Sequence, residues 1–129
     1  MTTKTQTIPF ATLPALGADF EGGTFAGVTT RQDGTHCAVV LLPAKGEGLA
    51  WKDAIAWAKE QGGELPSRPV ASLLFANVQP ALSPEWHWTS EEYNASYAWF
   101  CGFEDGDVSY LRNSYEGCAV AVRLIRITA

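Results

Sequence analysis

The sequence predicts an α+β fold in a single domain, and three observations carry that reading. Two helical segments lie close together near the middle of the chain, between residues 51 and 78. Strand-like runs precede them. Several more follow, with no helix between them. Parallel strands need a crossover of a dozen or more residues, usually a helix, so the last third is expected to pair antiparallel, with the helices segregated from the sheet.

Residues 1–20 are Thr- and Pro-rich with sparse apolar residues. They read as an extended arm, with Ile8, Phe10 and Leu13 as the positions that can pack on the body. The folded domain then covers residues 21–129. Phe25 and Val28 lead into Gln32-Asp33-Gly34, a turn signal, and "HCAVVLL" follows as a buried strand. This is a β-hairpin, and Pro43 with "AKGEG" is expected to end it. In "GLAWKDAIAWAKEQGG", Trp51, Ala54, Ile55 and Ala58 recur at helical spacing and form one apolar stripe. Gly62-Gly63 closes that helix. Ser67 is the predicted N-cap of a second helix, with Pro69 in its first turn and Leu73, Leu74 and Val78 facing inward. The rest reads as strands: "WHWTS", then "SYAWFCGF" turning at Asp105-Gly106 into "VSYLRN", then "CAVAVRLIRI".

At 129 residues the chain can bury a core without disulfides or metal. Its net charge of −5 argues against nucleic acid, which is held by clustered Lys and Arg. No apolar run reaches the roughly 18 residues of a membrane span. The first residues lack the compact apolar core of a signal peptide, so the expected compartment is the cytoplasm. Cys37, Cys101 and Cys118 form no CxxC and no Cys/His metal spacing, and they read as reduced thiols. No cofactor and no metal is expected.

Several stretches together carry a family resemblance: "GGTFAG", "GLAWKDAIAWAKEQGGELPSR", "LLFANVQPAL", "EWHWTSEEYNASYAWFCGF" and "AVAVRLIRI". They resemble the Lcl C-terminal-domain-like family of small bacterial and phage proteins, over roughly residues 22–127. The resemblance implies a C-type-lectin-like fold with two helices packed on short antiparallel sheets. That broad fold also includes formylglycine-generating enzymes and variable receptor-binding phage proteins. It therefore implies a fold more strongly than a function.

The candidate site is the aromatic and polar stretch near the C-terminal end. Alternation puts Tyr97, Trp99, Cys101 and Phe103 on one side of their strand and Ala98, Phe100 and Gly102 on the other. Both sides are partly apolar, so alternation alone does not choose the inner one. If Leu111 faces in, Tyr110 and Arg112 face out. Tyr, Trp and Arg anchor interfaces because they bring area and a polar handle at low entropy cost. The predicted partner-binding residues are Tyr93, Asn94, Tyr97, Trp99, Asp105, Asp107, Tyr110, Arg112, Asn113 and Tyr115.

Other constellations read as structural. Glu104, Asp105 and Asp107 sit in a tight turn and lack the spacing of a calcium site. On adjacent strands Cys101 and Cys118 would sit side by side, which leaves a disulfide open. Their spacing is no match for the catalytic thiols of the formylglycine-generating enzymes, and His87 between two tryptophans is expected to pack rather than catalyse. Arg123 is expected to reach a carboxylate such as Glu91 or Glu92. The sequence reading is thus a non-enzymatic module, phage- or prophage-encoded, that binds a protein of unknown identity and occludes a host factor. The alternatives are a receptor-binding or structural virion protein and, further off, a degenerate enzyme. Homo-oligomerisation is left open, with Ile8, Phe10 and Leu13 crossing to a neighbour.

Overall fold

The structure is a computed structural model that describes residues 6–128. In chain order the strands and helices are β1 (Thr7–Pro9), β2 (Asp19–Phe20), β3 (Gly23–Thr30), β4 (His36–Leu49), α1 (Trp51–Glu60), α2 (Arg68–Val78), β5 (Trp86–Asn94), β6 (Tyr97–Gly102), β7 (Val108–Arg112) and β8 (Gly117–Thr128). The α+β class holds. The strands join into one sheet in the order β2-β3-β4-β8-β5-β6-β7, with β1 also beside β8. Most pairings are antiparallel, but β1–β8 and β5–β8 are parallel. The β5–β8 contact rests on a single pair, His87 with Cys118. It joins a β5-β6-β7 unit to the rest of the sheet.

The central strands are longer than expected because Pro43 does not end β4. A proline lacks the N–H a ladder needs, and the β4–β8 register shifts between Leu41 and Lys45. Pairing then resumes, at Lys45 with Val120, and β4 runs on to Leu49.

Both faces of the central strands are buried, which the segregated-helix picture did not specify. On one face Trp51, Ala54 and Ala58 of α1 pack with Ala38, Val40, Trp88, Ala98, Ala119 and Ala121. On the other, Val70, Ala71, Leu74 and Val78 of α2 pack with Val39, Leu41, Cys101, Phe103, Val120 and Val122. Alternate residues of β4 and β8 feed opposite cores, as period-two geometry requires. The two helices therefore lie on opposite faces.

Local signals explain the helix ends. Gly62 has φ +84°, and Gly62 N–H and Gly63 N–H donate to Lys59 O and Ala58 O, the double bond pattern of a glycine C-cap. Ser67 Oγ accepts Val70 N–H at the start of α2. The stripe of α1 is rotated from its prediction. Trp57 is half-buried while Ile55 is 40% exposed, because the buried arc centres on Ala54 and Ala58 and takes in Trp57.

The expected arm is partly built into the sheet. β1 adds in parallel to β8, Ile8 is buried and Leu13 is half-buried against the α1-side core, while Phe10 is exposed. Residues 1–5 lie outside the described residues. Among the described residues no helix is long and apolar enough to cross a membrane.

Candidate recognition face

Helix α2 decides which part of the β5-β6-β7 unit stays open. It covers Cys101 and Phe103 and ends its coverage at its first residue, Arg68. Beyond Arg68 the same sheet face carries Tyr93 from β5, Tyr97 and Trp99 from β6, and Tyr110 and Arg112 from β7. Cross-strand pairing sets this grouping: Trp99 lies opposite Tyr110, and Tyr97 opposite Arg112. The reverse face buries Ala98 and packs Phe100 and Leu111 against the α1-side core. Leu111 thus faces in, and Tyr110 and Arg112 face out.

The four rings form one packed cluster. Tyr93 and Tyr110 stack with centroids 4.0 Å apart and planes 3° apart. Trp99 meets both edge-on at 5.4 Å, and Tyr97 meets Tyr110 edge-on at 5.8 Å. Such pairs are worth about 0.5–1.5 kcal/mol each beyond area burial. The cluster therefore holds its shape, yet Tyr93 and Tyr110 remain 46% and 42% exposed. The neighbouring Tyr93 phenol holds the Tyr110 phenol above its ordinary pKa.

Two arginines flank the rings. The Arg68 guanidinium lies 4.2 Å from the centroid of Trp99, and that of Arg112 lies 5.7 Å from Tyr97. Arg68 is fixed by Glu91, whose carboxylate accepts Arg68 N–H at 2.6 Å and Nε–H at 3.1 Å. A carboxylate on the N-terminal N–H of a helix is favourable on both hydrogen-bond and dipole grounds. Sequence reasoning missed Arg68 as a member of this face, because its contact with Trp99 exists only through the docking of α2. It assigned Glu91 or Glu92 to Arg123, which instead donates to Glu21 O at 3.0 Å and Gln6 Oε1 at 2.7 Å. Those acceptors lie beside β2, and Glu91 is taken by Arg68. Glu91→Ala is expected to lower stability by about 1–2 kcal/mol, read by urea unfolding, since it frees the α2 terminus and the Arg68 head together.

The remaining predicted residues divide. Asn94 Oδ1 accepts the N–H groups of Ser96 and Tyr97 at 2.9 and 3.0 Å and builds the β5–β6 turn. Asn113 donates from Nδ2 to Ala95 O, and its carbonyl accepts Trp51 N–H at the start of α1. Both are engaged inside the fold. Tyr115 is 54% exposed on the β7–β8 connection, with its N–H on Arg112 O. Asp105 and Asp107 lie in the β6–β7 turn, at the opposite end of that ladder from Tyr97 and Arg112. Five residues of strand, roughly 17 Å, separate the two ends.

Nearby groups with catalytic potential are in unreactive settings. His87 is 2% exposed, packs against Phe103 with ring centroids 4.6 Å apart and planes tilted by 41°, and makes a 2.8 Å hydrogen bond from Nδ1 to Glu85 O, which assigns the proton to Nδ1. Burial pushes its pKa down to about 4. Burial, with Asp105 and Asp107 adding to it, pushes the Cys101 thiol up to about 11. Burial also raises Cys118. A thiolate, not a thiol, is the nucleophile. Nor can Cys101 and Cys118 bond to each other. Both pair with His87, from opposite sides, so β5 separates them. Two strand spacings are about 9.6 Å, beyond disulfide reach. All three cysteines are free. Among the described residues no group of three or more His, Cys, Asp and Glu could hold a metal.

A groove of about 540 Å³ leads away from Glu91. Thr30, Arg31, Glu64, Ser67 and Ser90 line it, with Arg31 and Glu64 paired at 3.9 Å across its wall. Leu65, Pro69, Val70, Val122 and Leu124 complete a mixed lining, and the rings do not contribute to it. No protein-family model matches the chain, and no curated protein matches it.

Proposed function

We propose that this chain is a non-enzymatic protein-binding module whose recognition surface is the cluster of Tyr93, Tyr97, Trp99 and Tyr110 with Arg68 and Arg112. The observation that carries the reading is that these rings stand preorganised on an open sheet face. A partner then gains contact area without having to order side chains that are already locked. Arg68 and Arg112 supply directional donors at the rim, as interface arginines do. The protonated settings of Cys101 and Cys118 and the buried, neutral ring of His87 favour recognition over bond making. Two helices between flanking strands, and chain ends that meet as β1 beside β8, support a C-type-lectin-like assignment of the fold. With the family resemblance, the setting we infer is a phage- or prophage-encoded chain that occludes a host factor.

The test is a pull-down from bacterial lysate with wild type, Tyr93→Ala/Tyr97→Ala and an Asp105→Asn control, each first shown to be folded. The expected result is a protein held by wild type and the control and lost by the double variant. Its affinity for the double variant should be weaker by roughly 100-fold or more. A captured protein that binds all three equally sinks the assigned face.

A further inference from the structure

Strand pairing sets Arg112 opposite Tyr97 and Tyr110 opposite Trp99, so all four project to one side of the sheet. The Arg112 guanidinium lies over Tyr97, and that of Arg68 lies over Trp99. Both arginines therefore share one face with the rings. The ring positions beneath them are two residues apart on β6, about 7 Å along the strand. Nearby carboxylates point elsewhere. Asp107 alternates with Ser109 and Leu111, on the reverse side. Gly102 follows Ala98 and Phe100 on that side, and a Cβ added to it would stand 3.5 Å from Asp105 Oδ1. Glu92 pairs with Ala98 and shares that reverse side.

The ion pairs among the described residues are Arg31–Glu64 and Arg68–Glu91, and Arg112 belongs to neither. Glu91 takes the Arg68 Nε–H and leaves both terminal amino groups of that guanidinium. Arg68 and Arg112 against Glu91 leave one positive charge over the rings, on a chain whose net charge is −5. The rings add to this bias. Tyr93 and Tyr110 cover a face of each other, and Arg68 covers a face of Trp99. A ring's edge carries the positive end of its quadrupole. With those faces used inside the cluster, the groups left for a partner are weighted to ring edges, phenols and guanidinium N–H, and these favour an anion.

We propose that the partner presents an acidic segment to this face, with carboxylates from alternate residues of an extended stretch engaging Arg68 and Arg112. This rests on the reading of the ring cluster as a recognition surface and names the chemistry that surface selects. Alternate residues of an extended chain project to one side about 7 Å apart, the spacing of the ring positions beneath the two arginines. A guanidinium takes a carboxylate through parallel N–H donors, and it gives up water more readily than an ammonium does. The rest of the acidic chain repels such a partner. Attraction is therefore confined to this face, which fixes where and in what orientation the segment docks.

Fluorescence anisotropy tests this with short labelled peptides that alternate Glu and Ser, Gln and Ser, or Lys and Ser. The proteins are wild type, Arg112→Glu, Tyr93→Ala/Tyr97→Ala and, as a reverse-face control, Asp105→Asn. Arg112 is exposed, and circular dichroism checks that each variant is folded. Wild type and the control are expected to bind the Glu peptide roughly tenfold or more tighter than the Gln peptide, and the Lys peptide not at all. Arg112→Glu and the ring double variant should each weaken the Glu peptide by roughly tenfold or more. Equal binding of the Glu and Gln peptides, both lost in the ring double variant, would keep the rings as a recognition surface and overturn the acidic partner. A Glu peptide indifferent to Arg112→Glu overturns it as well. So does a Glu peptide that fails to bind wild type at millimolar concentration, and the pull-down then decides the recognition reading on its own. An oligothymidylate that displaces the Glu peptide at lower concentration overturns it in favour of nucleic acid.

Discussion

Trp88→Ala is expected to destabilise the protein by about 3–5 kcal/mol, measured by urea unfolding at neutral pH. Trp88 is fully buried, in the core between the sheet and α1. Its indole meets Trp86 edge-on at 5.1 Å, and its Nε1–H donates to Leu49 O at 2.9 Å. Truncation removes the largest fully buried side chain, opens a cavity and leaves the Leu49 carbonyl without its donor. Relaxation into the gap is restricted, since Trp86 already lies so close to Gly117 that a Cβ there would overlap its ring. Typical domains have about 5–15 kcal/mol of stability in all, so this one change consumes a large share. Trp88→Phe keeps most of the volume and should lose clearly less. Equal losses for the two variants would show that packing at this site is not what holds β5 to α1.

Acidification is expected to cost about 3 kcal/mol through His87 alone. Burial is the main cause of its lowered pKa, partly offset by the hydrogen bond to Glu85 O, with Lys45 lowering it slightly further. The ring's pKa is about 4 in the folded protein, against about 6.5 for an unfolded histidine. Between those values the unfolded chain binds the proton and the folded chain does not. The stability is therefore fully present above about pH 6.5 and is lost as pH falls toward about 4. Comparing urea unfolding of wild type and His87→Gln at pH 7 and pH 4.5 isolates this residue from the carboxylates, which titrate in both. The wild type should lose about 2–3 kcal/mol more than the variant. Parallel losses would mean that the ring is solvated in the folded state. The expected consequence is a β5–β8 junction that weakens first in acid, because His87 is the residue through which those strands pair.

Much of the fold was legible from local chemistry. The Gly62-Gly63 stop and the Ser67 cap act within one helical turn, so residue identity suffices to place them. The β6–β7 hairpin followed from alternating apolar residues around Asp105-Gly106. Pro43 misled because a missing N–H normally ends a ladder, whereas a long strand absorbed it through a register shift. Within the proposed recognition face, alternation placed Tyr97 with Trp99, and Tyr110 with Arg112. It could not see that Asn94 and Asn113 are engaged in turns, nor that Asp105 and Asp107 stand at the far end of the ladder.

By itself the sequence determined the α+β class, the helix ends and the set of aromatic residues from which the face is built, because these depend on contacts a few residues apart. Only the tertiary structure decided that α1 and α2 take opposite faces, that β5 separates Cys101 from Cys118, and that Arg68 covers Trp99 while Arg112 lies over Tyr97. Those outcomes depend on strand order and on where α2 stops, and both are settled by burying two apolar faces at once, a constraint no single segment carries.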